Sequence, residues 1–104
     1  MQQGEIRPRR DAGQPISYVV VLSGPRYIAA GKGRVVVCKV VPGVVPDDFA
    51  TMHRVRYRDE NGVDTIGVAV PDLIAWIPES GLGDPVGAVT DSDALMRTVG
   101  ALFR

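Results

Sequence analysis

The chain has 104 residues, 45% hydrophobic and 23% charged, with no net charge at pH 7, so we expect one folded domain over residues 1–104. This balance excludes a disordered or fibrous chain, and a single cysteine excludes an internal disulfide and a zinc site built from cysteine pairs. The longest apolar run, residues 35–41, is far shorter than the ~20 residues of a membrane helix.

The first half of the chain predicts extended segments separated by loops. A short extended piece over residues 4–7 is followed by a loop rich in Pro, Arg and Gly, and then by an apolar run over residues 16–22 that predicts a buried strand. Residues 23–33 contain three glycines and a proline, which predicts a connecting loop. The valine-rich segment 34–41 predicts a strand covered on both faces, with Cys38 as a small buried hydrophobe.

A hairpin over residues 52–70 has the clearest local pattern. Asn61 and Gly62 tolerate the positive φ angles of a tight turn, which fixes the pairing of the strands on either side. Arg54, Arg56 and Arg58 occupy alternate positions of the first strand and therefore share one face, which we expect to be solvated.

The pattern breaks after this hairpin. Pro71 and Asp72 interrupt the apolar residues before a predicted buried strand over residues 73–78, in which we expect Trp76 to lie in the core. A glycine-rich turn and a brief strand over residues 86–89 follow.

The C-terminal segment predicts the one helix of the chain. Thr90 and Asp93 have the spacing of a capping box, and the apolar residues after them recur at helical spacing. These apolar residues are Leu95, Met96, Val99, Leu102 and Phe103. The elements together predict a mainly β fold: a small, half-open, strongly curved antiparallel sheet or SH3-like barrel with one C-terminal helix.

Charge is distributed unevenly along the chain. Residues 1–58 carry ten Lys or Arg and four acids, a balance of +6, whereas residues 59–104 carry two Arg and eight acids, a balance of −6. Such asymmetry fits a basic surface for nucleic acid or an acidic peptide, and it equally fits two halves that neutralise each other. The polar, Arg-rich N-terminus is unlike a signal peptide, so we expect a cytoplasmic protein.

Four stretches resemble a superfamily of bacterial toxins that includes the MazF and PemK/Kid RNA-cutting toxins and the CcdB gyrase poison. They are Gly-Glu-Ile at residues 4–6, Val-Val-Val-Leu-Ser at 19–23, Gly-Val-Ala-Val-Pro-Asp at 67–72, and the segment 73–103 with its closing strands and helix. The resemblance implies a homodimer with a groove between its subunits and an antitoxin partner with a partly disordered acidic tail. It implies no metal or other cofactor, because in the RNA-cutting branch the 2′-hydroxyl of RNA attacks the adjacent phosphate.

The residues at the catalytic positions of the RNA-cutting toxins are mostly different here. Those toxins place an Arg just before the first valine strand, where this chain has Ser17 and Tyr18, and a Ser or Thr after the second long strand, near Val41 and Pro42 here. The Arg-x-Asp of the Kid-like members matches only at Asp72. A serine cannot neutralise a phosphate as an arginine does.

The remaining basic and titratable residues supply the candidates for a site. Asp72 and Arg26 are the candidate catalytic residues, and His53, the only histidine, is expected to be a partly buried structural residue. The candidates for binding RNA or an antitoxin are Arg7, Arg9, Arg10, Arg26, Lys39, Arg54 and Arg56.

Three interpretations therefore stay open. One is an RNA-cutting toxin that uses other cations in place of the replaced residues. The alternative is a non-catalytic, CcdB-like module that engages an antitoxin or a cellular target, although the Trp-Gly-Ile tail of the CcdB-like proteins is absent from the Gly-Ala-Leu-Phe-Arg terminus. The third is a structural barrel domain with no toxin ancestry, expected to be a monomer.

Overall fold

The computed structural model describes residues 1–10, 14–43 and 52–103. In chain order its elements are β1 (Glu5–Arg9), β2 (Ser17–Val21), α1 (Pro25–Ala29), β3 (Arg34–Pro42), β4 (His53–Arg58), β5 (Asp64–Pro78), a 3-10 turn (Glu79–Gly81), β6 (Gly87–Ala88) and α2 (Ser92–Ala101). The predicted mainly β fold with a C-terminal helix is confirmed.

The six strands form a closed antiparallel barrel in the order β1-β2-β3-β5-β4-β6. Two residues of β6 close it, because Gly87 pairs with Ile6 of β1 on one side and with Tyr57 of β4 on the other. A side chain at Gly87 would not fit, since a Cβ there would lie 2.6 Å from the carbonyl oxygen of Arg56. This close approach is what closes the sheet that the sequence predicted to be half-open.

The strands bury residues on both of their faces. The inner face carries Ile6, Val20 and Val40, and α2 covers one end of the barrel with Leu95 and Val99. Each buried side chain of this size stabilises the fold by about 1.5–3 kcal/mol relative to exposure. Cys38 also points inward, and burial raises the pKa of its thiol to about 12, so it is a small buried hydrophobe as predicted.

A second apolar cluster lies on the outer face of β2, β3 and β5. Val19, Val35, Val37 and Ile77 are buried there, and Ile28 of α1 packs against them. This cluster explains why β3 is nearly continuous in apolar residues, as predicted for a strand covered on both faces.

Strand β1 is longer than its sequence indicates. It runs through Pro8 to Arg9, which pairs with Ser17 of β2, whereas the sequence predicted a loop after residue 7. Proline is tolerated because Pro8 lies beyond the ladder with β6, which pairs only with Glu5 and Ile6. On this side the carbonyl oxygen of Pro8 accepts a hydrogen bond from the backbone N–H of Gly83 at 2.9 Å, so Pro8 needs to supply no donor.

Strand β5 continues through Pro71 and Asp72, where the sequence predicted a break. Its pairing with β3 shifts at this point: Val70 is opposite Lys39 and Ile74 is opposite Cys38, so residues 71–73 have no opposite residue on β3. The extra residues form a bulge, which is a position where a strand accepts proline.

The segment before β3 contains a short helix rather than the predicted loop alone. Pro25 occupies the first turn of α1, a position where its missing N–H costs nothing. Tyr27 of this helix packs on Trp76 with ring centroids 5.5 Å apart, and Arg34 lies over the same indole ring at 5.4 Å. Trp76 is nevertheless 56% exposed, so its predicted place in the core is wrong.

The C-terminal helix is confirmed, with a different cap and a shorter apolar face. Asp91 is the N-cap, and its carboxylate accepts a hydrogen bond from the backbone N–H of Ala94 at 3.0 Å, whereas the sequence indicated Thr90. Leu102 and Phe103 follow the helix and are 41% and 76% exposed, so they do not pack on the sheet as predicted.

Candidate functional site

A groove of about 380 Å³ crosses the outer face of the barrel, and we call it the basic groove. Arg9 of β1, Ser17 and Val19 of β2, Val37 and Lys39 of β3, and residues 73–75 of β5 line it. Strand pairing explains the convergence, because Arg9 is opposite Ser17 and Lys39 is opposite Val19, so all four side chains share one face. Two cations meet there, and none of the described lining residues is acidic.

The β5 bulge carries Asp72, which is adjacent in sequence to the groove residue Leu73 but is not among the described residues that line the groove. Leu73 lines the groove and is 51% exposed, and Asp72 precedes it on the same bulge with an exposed side chain. Lys39 is the residue of β3 at which the register shifts. Bulges commonly redirect a side chain next to an active site, which is the geometric setting of Asp72.

Arg7 is tied into the fold rather than directed to the basic groove. Its guanidinium donates to the carbonyl oxygen of Gly83 at 2.9 Å and pairs with the Glu5 carboxylate at 3.1 Å, and only 13% of its side chain is exposed. Burial raises the pKa of Glu5, but hydrogen bonds from the Gln2 backbone and from Arg7 outweigh it and lower the pKa overall. Arg7 therefore fastens β1 to the segment before β6.

The other two early arginines lie outside the basic groove. Arg10 is exposed at the end of β1, where its backbone N–H donates to the carbonyl oxygen of Gly81 at 3.0 Å. Arg26 is exposed on α1 and is not among the described residues that line the groove. Their roles in catalysis or binding stay predictions.

A second cationic surface follows strand β4, and we call Arg54, Arg56 and Arg58 the arginine row. All three side chains are exposed on one face, as the alternating pattern predicted. Arg54 and Arg56 line a cavity of about 360 Å³ together with Ile66, and Arg58 pairs with the exposed Asp64 at 3.4 Å. An ion pair this exposed contributes little to stability.

A hydrogen bond connects the strand of Ser17 to the β4–β5 turn. The hydroxyl of Tyr18 donates to the Glu60 carboxylate, and the Tyr18 and Tyr57 rings stack with centroids 4.5 Å apart. Burial, reinforced by the Glu60 hydrogen bond, raises the pKa of Tyr18 to about 12. Tyr18 therefore stays protonated as a structural donor.

His53 lies on the inner side of β4 against α2. Its Nε2 atom is 2.9 Å from the Thr98 hydroxyl oxygen, which accepts because the hydroxyl donates its own hydrogen to the carbonyl of Ala94. Burial lowers the pKa of His53, and the negative charge of Asp91 partly opposes this. The side chain is half-buried, as predicted for a structural histidine.

Within residues 1–10, 14–43 and 52–103, no three His, Cys, Asp or Glu side chains are grouped closely enough to hold a metal ion. No helix in these ranges has the length and apolar character to cross a membrane.

The site joins residues that sequence patterns place far apart. Arg9 and Lys39 were both candidates, and the structure brings them together with Ser17, a residue that the sequence marked only as a replacement. The alternation of Arg7 and Arg9 was the one signal that β1 extends far enough to carry Arg9 onto the sheet.

A small closed antiparallel barrel with one C-terminal helix is the fold expected of a MazF-like toxin. The profile of a family described as type II toxin-antitoxin system toxin Rv0299 matches residues 4–103 of this chain. Toxin Rv0299 of Mycobacterium tuberculosis is 39% identical over 84 residues, which cover 81% of this chain and 77% of that protein. The chain belongs to the Rv0299 family of type II toxins, and the predicted resemblance to MazF-like toxins is confirmed.

Solved structures with the same fold include three toxins or toxin complexes. An endoribonuclease in complex with its cognate antitoxin, from a mycobacterial species, superposes with a TM-score of 0.72 at 16% identity, covering 99% of this chain and 94% of that one. A chain of MazE-MazF from Deinococcus radiodurans gives 0.69 at 19% identity over 99% and 94% of the two chains. The Mycobacterium tuberculosis toxin MazF-mt6 gives 0.67 at 23% identity over 95% of each chain. These similarities show the fold.

Proposed function

We propose that this toxin cuts single-stranded RNA without a metal ion and binds the strand in the basic groove. In the proposed reaction the 2′-hydroxyl of RNA gives up its proton and its oxygen bonds to the adjacent phosphorus. The bond from phosphorus to the 5′-oxygen then breaks, and the 5′-oxygen takes a proton from water. The products are a 2′,3′-cyclic phosphate and a 5′-hydroxyl.

The observation that carries the proposal is the convergence of Arg9 and Lys39 on one groove. The negative charge on the phosphate grows as its geometry changes, and cations fixed beside it stabilise that state most. The groove also has an apolar floor of Val19 and Val37, where charge interactions are stronger than in open water.

Asp72 is the residue we assign to proton transfer. Its side chain is exposed on the β5 bulge, one residue before Leu73 of the groove, and in the proposed reaction its carboxylate accepts the proton of the 2′-hydroxyl. Asp72→Asn keeps the shape of this side chain and removes the base. We expect it to slow cleavage by about 10²-fold or more, within the range of general acid–base catalysis.

We further propose that residues 1–104 form one domain and that the toxin is a homodimer. Trp76 and Phe103 are 56% and 76% exposed, and a cavity of about 410 Å³ with apolar walls lies between them. Exposed apolar surface of this kind marks an interface. Light scattering tests the dimer: Trp76→Ser should shift the mass toward that of a monomer, and an unaltered dimer would contradict this interface.

The partner we propose is an antitoxin with an acidic tail. Two of the solved structures described above contain an antitoxin, and such a tail would compete with RNA for the same cations. The cytoplasm is the compartment in which toxin, antitoxin and RNA would meet.

A labelled RNA oligonucleotide incubated with the purified protein in EDTA tests the activity. We expect cleavage products that end in a 2′,3′-cyclic phosphate. Intact RNA at protein concentrations that saturate binding would contradict the proposal and would favour the alternative, a non-catalytic CcdB-like module.

A further inference from the structure

The two cations of the basic groove come from the strands on either side of β2. Arg9 on β1 is opposite Ser17, and Lys39 on β3 is opposite Val19. Opposite residues of antiparallel strands have Cβ atoms about 5 Å apart and project from the same face. Arg9 and Lys39 therefore approach the groove from its two sides, with β2 between them.

Ser17 determines the space between the two cations. It is the smallest of the β1 and β2 side chains that line the groove, and its neighbours on the floor, Val19 and Val37, are buried. A larger residue at position 17 would project into the space directly beside Arg9. The serine leaves room for a group of the size of a phosphate and adds a hydroxyl that can donate to one of its oxygens.

The two cations also differ in chemistry. A guanidinium presents a planar fork of N–H donors that fits two oxygens of a phosphate at once, whereas an ammonium acts as a compact point charge. Arg9 is half-buried against the sheet, while Lys39 is exposed. The arginine is thus the more fixed of the two, and a fixed donor stabilises a transition state better than a mobile one.

We propose that Arg9 and Lys39 are the two halves of a clamp that holds one RNA phosphate above Ser17, with Arg9 making the contact that strengthens as the phosphate is cut. The clamp deepens the proposed function and rests on it for the identity of the ligand. In this arrangement the guanidinium comes from Arg9 of β1, whereas β2 begins with Ser17 and Tyr18 and has no arginine at these positions.

Substitutions of Arg9, and its exchange with the opposite residue Ser17, test the clamp. Arg9→Ala should lower the single-turnover rate of RNA cleavage by about 10²-fold, and Arg9→Lys should fall between wild type and Arg9→Ala because it keeps the charge and loses the fork. The double variant Arg9→Ser/Ser17→Arg places the guanidinium on the other strand of the same pair, and its rate should recover to within about tenfold of wild type. Arg97→Ala, which removes an exposed arginine of α2, is the matched control.

Binding of an uncleavable RNA separates the clamp from the cleavage reaction. An oligonucleotide with 2′-O-methyl groups cannot be cut, and its affinity can be measured by fluorescence polarisation at several salt concentrations. Arg9→Ala should weaken binding and reduce the slope of log affinity against log salt by about 1, and Ser17→Leu should weaken binding by filling the space.

Each outcome of the two measurements decides one proposal. If wild-type protein leaves RNA intact but Arg9→Ala still lowers the salt slope, the cleavage proposal fails and the phosphate clamp stands. If Arg9→Ala binds and cuts RNA within about threefold of Arg97→Ala, the clamp is wrong. A folded exchange variant that binds no better than Arg9→Ala would also overturn it, and circular dichroism with thermal unfolding establishes the folding.

Discussion

The basic groove and the arginine row carry the same kind of charge on different sides of the barrel, and they differ in how their cations are arranged. Arg9 and Lys39 are 30 positions apart in the sequence, yet they converge because β1 and β3 both pair with β2. The arginines of the row are neighbours in sequence and stand about 6.8 Å apart along one strand. Convergence lets two charges act on one phosphate, whereas a row spreads its charges along a partner.

The surroundings of the two regions differ as well. The groove has buried valines as its floor, so its charges act next to a medium of low dielectric constant. The arginine row faces water, where its ion pair between Arg58 and Asp64 is weak and readily screened by salt. We infer that the groove is suited to chemistry and the row to long-range attraction of an acidic or nucleic-acid partner.

Charge reversal in each region should show the largest effect. Lys39→Glu puts a negative charge where the phosphate would lie, and we expect the cleavage rate to fall by about 10²- to 10³-fold, as when one preorganised donor is lost. Arg56→Glu should reduce it by less than about fivefold, because the row acts through attraction rather than contact. The rates are measured with the same labelled RNA under single-turnover conditions.

Lys32→Glu is the control for net charge, because this exposed residue lies in the loop before β3. It carries the same change in total charge as Lys39→Glu and should cut RNA at close to the wild-type rate. If Lys39→Glu and Arg56→Glu lowered the cleavage rate equally, the proposed difference in role between the basic groove and the arginine row would be wrong.

The arginine row could be predicted from sequence because its signals are local. Because side chains of a strand point alternately to its two faces, every second residue lies on the same face. The Asn61-Gly62 turn fixes the register of the strands beside it. The groove could not be predicted in this way. It depends on which residue of β1 lies opposite Ser17, and Pro8 makes the end of that strand look like a loop.

The β5 bulge and the exposure of Trp76 could not be predicted from the sequence, for related reasons. Pro71 indicates a break under local rules, but a bulge removes the need for its N–H, so the strand continues to Pro78. Trp76 lies on a strand of mostly apolar residues and is 56% exposed, because the described contacts of its ring with Tyr27 and Arg34 leave more than half of the side chain uncovered. The alternation of side chains along a strand does not show whether another part of the chain covers one of its faces.

Removing the bond between Tyr18 and Glu60 tests whether the two regions are coupled. Tyr18 neighbours Ser17 in the groove, and Glu60 lies in the turn that follows the arginine row. Tyr18→Phe should lower the free energy of unfolding by about 1 kcal/mol, the usual net value of a hydrogen bond with one exposed partner. Urea denaturation measures this change.

Tyr57→Phe is the matched control for that variant. It removes the hydroxyl of the other ring of the stacked pair and leaves the bond to Glu60 in place. We expect it to destabilise the protein less than Tyr18→Phe. The reverse order would mean that the two sides of the barrel are not joined through Glu60.

The smallest expected effect concerns the inner side of β4, behind the arginine row. Burial lowers the pKa of His53 below its usual value near 6.5. At a pH between the lowered pKa and 6.5, the unfolded chain therefore binds a proton at His53 that the folded protein does not. The stabilisation from neutral His53 is therefore complete above about pH 6.5 and is lost as the pH falls toward the lowered pKa. His53→Gln retains a donor for Thr98 without a titrating group, and its Tm should fall less than that of wild type between pH 7.5 and 5. Parallel Tm profiles for the two proteins would show that acid acts on β4 through groups other than His53.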